Sequence, residues 1–208
     1  MSIDSSAARS APERMDWRRA EFILTALAFV GFITIGIRIK TIYSGLPAHP
    51  LFIHVPVVLI PLSVLGALVC VARPNQFNRY GTLLCLCAIV AMSSIFLAMQ
   101  AGAALRGALH LVGLQAQLIS EHSHDAHILA IVFVLFTATL ILTFSAHRIS
   151  GGMPTGLGIA DALLGSKANY VALRIVLVVL ALVSAYYVYK VGDLGAKAVW
   201  AGRLQGSP

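Results

Sequence analysis

Long apolar runs, separated by short polar segments, dominate the chain. Crossing the hydrocarbon core of a bilayer takes about 20 consecutive apolar residues. Five segments approach that length: Phe22–Ile39, Leu51–Val71, Leu83–Leu105, Ile128–Phe144 and Val171–Val188. None of them contains Asp or Glu, and most polar residues lie at the ends and connections, as a bilayer without water requires. The pattern predicts an all-α integral membrane protein with five transmembrane helices.

These spans divide the chain into three predicted parts. Residues 1–21 form a polar N-terminal arm. We expect its beginning to be disordered and its end, next to the first span, to lie at the membrane interface. Residues 22–44 hold an extra transmembrane helix, and residues 45–208 form a four-helix membrane domain. Two connections of this domain, residues 105–120 and 148–170, are predicted to contain short helices that rest on the membrane surface.

The composition supports a membrane location. Of the 208 residues, 59% are apolar and 11% are charged, whereas soluble domains average about 45–50% and about 25%. The net charge of +7 could indicate binding to nucleic acid. The basic residues, however, stand singly or in pairs at the ends of spans, where Lys and Arg determine the orientation of a membrane protein. We therefore expect the lipid bilayer as a partner and no nucleic acid. Motifs of nucleotide-binding folds, serine hydrolases and zinc proteases are absent, so no enzyme class is predicted.

The distribution of Lys and Arg indicates the orientation. If the N-terminus is cytoplasmic, alternating spans place nine of the 15 basic residues inside and six outside. Cytoplasmic connections of membrane proteins carry an excess of Lys and Arg. The sequence therefore favours a multi-pass protein of the inner (plasma) membrane, with its N-terminus inside and its C-terminus outside.

Six of the seven histidines are predicted to gather at one face of the membrane. Consecutive spans run in opposite directions, so the starts of the second and fourth spans share a side with the ends of the third and fifth. That side carries His49, His54, His110, His122, His124 and His127. His147 falls on the other side, and with the N-terminus inside the histidine-rich face is the outer one.

His54 lies within the second predicted span and is followed by Pro56 and Pro61. A proline has no backbone N–H to donate, so each one interrupts helical hydrogen bonding and favours a kink. His54 has two interpretations: a neutral imidazole bonded to a carbonyl freed by the kink, or a ligand of haem iron or another metal. The second arises because ionisable residues inside membranes often mark functional sites and imidazole is a common metal ligand.

The segment EHSHDAH, residues 121–127, places three imidazoles and two carboxylates before the fourth span. Ser123 is a candidate N-cap, after which His124 and His127 would share a helix face, with His122 just outside the helix. One interpretation is that these are solvated surface histidines. The other is that they are ligands facing the imidazoles of the second span.

The segment HPLFIHVPVVLIPLSVLGAL resembles the motif HP-x-x-VH-x-P that opens a bacterial membrane-protein family of unknown function, domain of unknown function 2231. RPNQFNRYG, AGAAL, LISEHSHDA and VGDLGAKAVW follow in the order of similar segments in that family. The resemblance covers roughly residues 45–200 and implies a four-helix domain in a bacterial inner membrane, with the first span outside it. Recurrent positions of the family fall on His49, Pro50, His54, Pro56, Arg79, His122, Gly192, Asp193 and Gly195.

The resemblance also implies a direction for function. Some relatives carry this module beside a Rieske iron–sulfur domain, which suggests redox work at the membrane. Many relatives have histidine where this chain has Asp193, so the chain departs from the family there. A ligand role is therefore not carried over to Asp193.

The leading hypothesis is a cytochrome b-like module that binds haem b near the outer face. It would transfer electrons as a part of, or accessory to, a respiratory or other redox membrane complex. His54 would be one axial ligand, and His122 or His124 the other. His49 or Asp193 could orient a ligand imidazole, and Arg106 could neutralise a haem propionate.

Two alternatives use the same residues differently. A copper- or zinc-binding membrane protein would draw on nitrogen donors that suit both metals: His49, His54, His122, His124 and His127. A non-redox structural or accessory subunit of a membrane complex would use the histidines to tie loops together. In that case small residues such as Ala98 and Gly102 would serve close helix packing.

Overall fold

The computed structural model describes residues 42–43, 46–153 and 158–200. Six helices account for most of these residues: α1 (Ala48–Phe52), α2 (His54–Ala72), α3 (Gln76–Ala108), α4 (Gly113–Ser150), α5 (Gly158–Leu164) and α6 (Lys167–Trp200). A two-residue antiparallel pair, β1 (Ile42–Tyr43) and β2 (Leu46–Pro47), precedes α1. Apart from this pair, the regular structure of the described residues is helical, as the apolar runs predict.

Four helical segments in the described residues are long and apolar enough to cross a membrane. They are Ala48–Ala72, which comprises α1 and α2, and the helices α3, α4 and α6. The last four predicted spans are thereby confirmed as membrane-length helices. The first predicted span, Phe22–Ile39, and the polar arm before it lie outside the described residues. The short helix α5 falls in the second connection for which a loop helix is predicted.

The helices α2, α3, α4 and α6 form a four-helix bundle in which each packs against the next, and α6 closes the ring by packing against α2. Connections of three residues between α2 and α3, and of four between α3 and α4, force these neighbours to run antiparallel. Long-range hydrogen bonds agree with this arrangement. His49 bonds to Ala98 in the C-terminal half of α3, and Asn78 near the start of α3 bonds to His147 near the end of α4. The chain therefore runs up and down through the bundle.

Local sequence explains where the helices begin and end. α2 stops at Ala72 because Arg73 precedes Pro74, and a residue before proline disfavours helical backbone angles. Gly113 starts α4 and Gly152 follows its end, with φ values of 58° and 83° that favour glycine over other residues. These turns bring the ends of neighbouring helices together on both sides of the bundle.

The interior of the bundle is filled by large apolar side chains. Fully buried examples are Ile60, Phe77, Phe133, Phe136, Leu140 and Leu177. Gly81 lets the Phe144 ring approach so closely that a β-carbon there would lie 2.2 Å from it. Exposed apolar side chains such as Val58, Leu135 and Val179 cover the outside of the same helices. An apolar exterior around helices whose backbone groups are hydrogen-bonded within each helix suits a lipid environment.

The connection between α3 and α4 differs from the prediction of a separate surface helix at residues 105–120. α3 continues to Ala108 and α4 starts at Gly113, so Ser123 lies within α4 rather than at its N-cap. α4 has 38 residues, about 57 Å at 1.5 Å per residue, whereas the hydrocarbon layer is about 30 Å thick. Hydropathy marks the apolar part of this helix, but polar residues continue it beyond that part.

Candidate functional site

Two histidines from distant parts of the chain meet at one end of the bundle. The ring centroids of His49, in α1, and His122, in α4, are 6.2 Å apart, and the ring planes are nearly perpendicular at 86°. Both side chains are half-buried. The alternation of spans predicts that these two residues share a face, and the contact between their rings agrees. We refer to His49 and His122 together as the ring pair.

Each ring is held by the backbone of a neighbouring helix. His49 Nδ1 lies 2.8 Å from the carbonyl oxygen of Ala98 in α3, and His122 Nδ1 lies 2.9 Å from that of Val191 in α6. Because a carbonyl oxygen accepts and does not donate, Nδ1 carries the hydrogen in both rings. A neutral imidazole then has its lone pair on Nε2, and among the described residues neither Nε2 has a hydrogen-bond partner. Both rings are in the tautomer that can bind a metal through Nε2.

A glycine lies beside each ring, four residues after the accepting carbonyl. A β-carbon at Gly102 would lie 3.0 Å from the His49 ring, and one at Gly195 would lie 3.2 Å from the His122 ring. In an α-helix the carbonyl of residue i already accepts the N–H of residue i+4. The missing side chain at that residue leaves the accepting carbonyl open to a second donor. The same arrangement, an imidazole on a helix carbonyl beside a glycine, therefore occurs twice.

The short helix α1 places His49 in the ring pair. Helical structure is interrupted at Ile53, between α1 and α2, because Pro56 has no N–H to donate to the carbonyl of Phe52. The interruption agrees with the break that the prolines predict. It falls between the two histidines of this segment, so His49 and His54 belong to different helices.

The other predicted ligands make local contacts instead. His54 is exposed, with Nδ1 3.3 Å from the carbonyl oxygen of Leu51. His127 is also exposed, with Nδ1 2.7 Å from the carbonyl oxygen of Ser123. Arg106 is exposed in the last turn of α3. The structure thus brings His49 and His122 together but does not place His54 or His127 in that contact.

His124 lines a cavity of about 430 Å³ beside α4 and α6 that is largely open to the surface. The other lining residues are Ser120, Glu121, Asp125 and Lys190. Asp125 is buried, and its Oδ2 forms a 3.0 Å ion pair with Lys190 Nζ. Sequence reasoning missed this pair because it began the helix after Ser123 and considered only the histidines of the segment as contacts to other helices. With α4 extended, the spacing of His122, Asp125 and Leu129 places all three on one helix face.

Across residues 42–43, 46–153 and 158–200, no three His, Cys, Asp or Glu side chains come together in a way that could hold a metal ion. Structural zinc sites use four protein ligands, and catalytic ones use three. The ring pair offers two nitrogen donors, which is fewer than either kind of zinc site uses and is enough to ligate a haem iron.

His147 occupies the opposite end of the bundle, as the alternation of spans predicts. Its Nε2 donates to Asn78 Oδ1 at 3.1 Å, and its Nδ1 accepts from the Tyr170 hydroxyl at 3.4 Å. Arg174 lies over the Tyr170 ring at 5.5 Å and donates to the carbonyl oxygen of Val71. These contacts join the ends of α2, α3, α4 and α6 in one polar network.

Membrane-length helices in an antiparallel bundle define a multi-pass helical membrane protein. The model of the family described as "Predicted membrane protein (DUF2231)" matches residues 45–208. The chain therefore belongs to this family, which confirms the resemblance of its motifs. No curated protein matches the chain, and no solved structure matches it.

Proposed function

We propose that this protein binds one haem b through His49 and His122 and transfers single electrons between redox proteins of its membrane. The observation that supports the proposal is the ring pair, with centroids 6.2 Å apart and each Nδ1–H donated to a backbone carbonyl. His49 and His122 would hold the haem iron through Nε2, the nitrogen that neither hydrogen bond occupies. His49 takes the place of His54 because its ring, and not that of His54, contacts His122.

The surroundings of the ring pair would serve ligation. Each carbonyl bond fixes the orientation and the tautomer of its ring, as hydrogen bonds from ligating imidazoles commonly do. Arg106 lies four residues after Gly102, on the same side of α3, and would neutralise a haem propionate. Bound haem would supply the one-electron chemistry. The chain supplies two ligands, their orientation and their half-buried environment.

Absorption spectroscopy of the protein, purified in detergent from haem-replete cells, tests this proposal. We expect a Soret band that is lost in His49→Ala and in His122→Ala. The matched controls are His54→Ala and His127→Ala, which remove exposed imidazoles with local bonds and should keep the band. A colourless protein, or a band that survives the loss of both His49 and His122, would contradict the proposal.

Elemental analysis of the same preparation separates haem from the copper or zinc alternative. Nitrogen donors suit both metals, but the ring pair offers two donors and zinc prefers four ligands. If the protein contains stoichiometric copper or zinc and no porphyrin, and loses the metal in both histidine variants, that metal rather than haem is the ligand of the ring pair.

A structural role is the second candidate, and the same hydrogen bonds favour it. His49 joins α1 to α3, and His122 joins α4 to α6, so each ring ties two segments together. A subunit of this kind would contain no haem and no metal. Each histidine-to-alanine change would then lower the free energy of unfolding by about 1 kcal/mol, the contribution of one hydrogen bond, without any spectral change.

The basic residues of the described part support an outer position for the ring pair, in a bacterial inner membrane. The end with His147 carries Arg73, Arg79, Arg148, Lys167 and Arg174. The end with the ring pair carries Arg106, Lys190 and Lys197. The larger number of Lys and Arg marks the cytoplasmic side. In whole cells, a membrane-impermeant maleimide should label Lys197→Cys and spare Arg79→Cys until lysis. The reverse labelling pattern would show that the ring pair lies on the cytoplasmic side.

A further inference from the structure

We propose that the cavity lined by His124 binds the headgroup of a phospholipid that carries both a phosphate and a primary ammonium, as phosphatidylethanolamine does. Its volume of about 430 Å³ lies in the range of small-molecule sites, about 300–1,000 Å³. Neither member of the ring pair lines it. The proposal therefore stands independently of haem binding.

The charges of the cavity match such a headgroup. Glu121 and Asp125 contribute two carboxylates against one ammonium from Lys190, which leaves an excess of one negative charge when His124 is neutral. A primary ammonium can donate to a carboxylate, and a phosphate can accept from Lys190 and His124. A glycerol headgroup has no amine and brings no cation to offset the excess, and a choline headgroup has no N–H to donate.

The existing bonds leave room for these contacts. Lys190 Nζ has three donor hydrogens, and one of them serves Asp125 Oδ2 at 3.0 Å. The Lys190 side chain is 41% exposed, so its head remains within reach of a ligand. Glu121 Oε1 accepts from Gln117 Nε2 at 3.0 Å, and its second oxygen can accept from an ammonium.

The cavity lies at the level of lipid headgroups. Asp125 precedes Ile128, where the apolar run of α4 begins, by three residues, about 4.5 Å along the helix. Lys190 follows Val188, where the last apolar run ends, by two residues. Headgroups add about 5–7 Å on each side of the hydrocarbon core. Asp125 and Lys190 thus lie at the level of the lipid phosphate, and Glu121, four residues before Asp125 and about 6 Å further along the helix, lies on the aqueous side, towards which the ammonium would extend.

Exposed apolar side chains continue from the cavity towards the middle of the membrane. On α4, Ile131 and Leu135 follow His124 at helical spacing and are 63% and 51% exposed. On α6, Tyr186 and Leu182 precede Lys190 by four and eight residues and are 57% and 58% exposed. Acyl chains can lie along both stripes while the headgroup occupies the cavity.

Native mass spectrometry of the full-length protein, reconstituted with defined lipids and released from detergent, tests the proposal. We expect a single phosphatidylethanolamine to be retained more strongly than phosphatidylglycerol or phosphatidylcholine. Glu121→Gln removes a charged acceptor and should weaken retention about tenfold, the effect of one charge-assisted hydrogen bond. Lys197→Ala is the control, because Lys197 is exposed on α6, the helix of Lys190, does not line the cavity and pairs with Asp193 at 2.7 Å.

A second variant guards against misfolding. Lys190→Ala alone would leave the buried Asp125 carboxylate without its partner, so it is combined with Asp125→Asn, and circular dichroism checks the helical content. The double variant should also lose phosphatidylethanolamine. Equal retention of the three lipids would overturn the proposal, as would equal behaviour of Glu121→Gln and Lys197→Ala. Failure here leaves the ring pair untouched, because the spectrum reports on His49 and His122 alone.

Discussion

The two ends of the bundle use histidine in opposite ways. At one end, both nitrogens of His147 bond to side chains of other helices, Asn78 and Tyr170. At the other end, His49 and His122 each use Nδ1 on a backbone carbonyl, and within the described residues neither Nε2 is engaged. An imidazole with both nitrogens bonded is a structural tie, whereas one with an unengaged Nε2 can accept a metal. The occupancy of the ring nitrogens, rather than burial, separates the two kinds of histidine.

The ends also differ in packing. Phe77 is fully buried at the His147 end, where its ring centroid lies 6.1 Å from that of Phe144 and 5.5 Å from that of His147. At the other end, Gly102 and Gly195 lie against the rings of the ring pair. Large aromatic groups bury much apolar area, and glycine contributes almost none. The His147 end thus stabilises the bundle through packing, while the glycines of the other end leave space for the two imidazole rings.

The largest effect on this contrast should come from Phe77→Ala. Removing a fully buried aromatic side chain should lower the free energy of unfolding by about 3–5 kcal/mol, measured by thermal unfolding in detergent. Leu83→Ala on the same helix is the control, because Leu83 is 67% exposed to the surroundings of the bundle. A loss no greater than that of Leu83→Ala would show that the His147 end is not the main source of stability.

A smaller effect is expected for His147→Ala. The change leaves Asn78 Oδ1 and the Tyr170 hydroxyl without the ring, which should lower the free energy of unfolding by about 1–3 kcal/mol. The control is His127→Ala, whose ring is exposed and bonds within its own helix. Haem content per folded molecule should not change in either variant. Loss of haem in His147→Ala would mean that the two ends are not independent.

The smallest change in stability should accompany Gly195→Ala. Its methyl group would lie 3.2 Å from the His122 ring, so the strain on that ring should offset the gain in helix propensity of about 1 kcal/mol. We expect a weaker Soret band at nearly unchanged stability, measured on one sample by absorption and thermal unfolding. Gly192→Ala, one turn earlier and with no atom within 4 Å, should gain stability and keep the spectrum. Identical behaviour of the two variants would remove the special role of Gly195.

Counting spans predicts which histidines share an end, because the answer depends only on how often the chain crosses the membrane. Counting does not choose between His49 and His54. The two are five residues apart, about 140° around a helix, and the apolar run favours His54. The structure turns His49 inwards because helix α1 ends at Phe52 and Gly102 leaves room for the ring. That room is made by another helix, so the local pattern around His54 does not contain it.

His122 shows a second limit of sequence patterns. Hydropathy starts the fourth span at Ile128, and Ser123 has the chemistry of an N-cap, so the sequence places His122 outside the helix. In the structure α4 begins at Gly113, which makes His122 and Asp125 neighbours on one helix face. Polar residues at helical spacing extend a helix past the bilayer, and a hydropathy profile does not register them.

The length of α4 determines which partner molecules can approach the ring pair. His122 precedes Ile128 by six residues, no more than about 9 Å along the helix axis, and lipid headgroups occupy about 5–7 Å above the hydrocarbon. His122 therefore lies near the outer edge of the headgroup layer, while His49 bonds to Ala98, seven residues inside the end of the third apolar run at Leu105. The ring pair thus extends from the membrane surface towards the apolar interior, and a partner docked on that surface would reach His122 without crossing the hydrocarbon core.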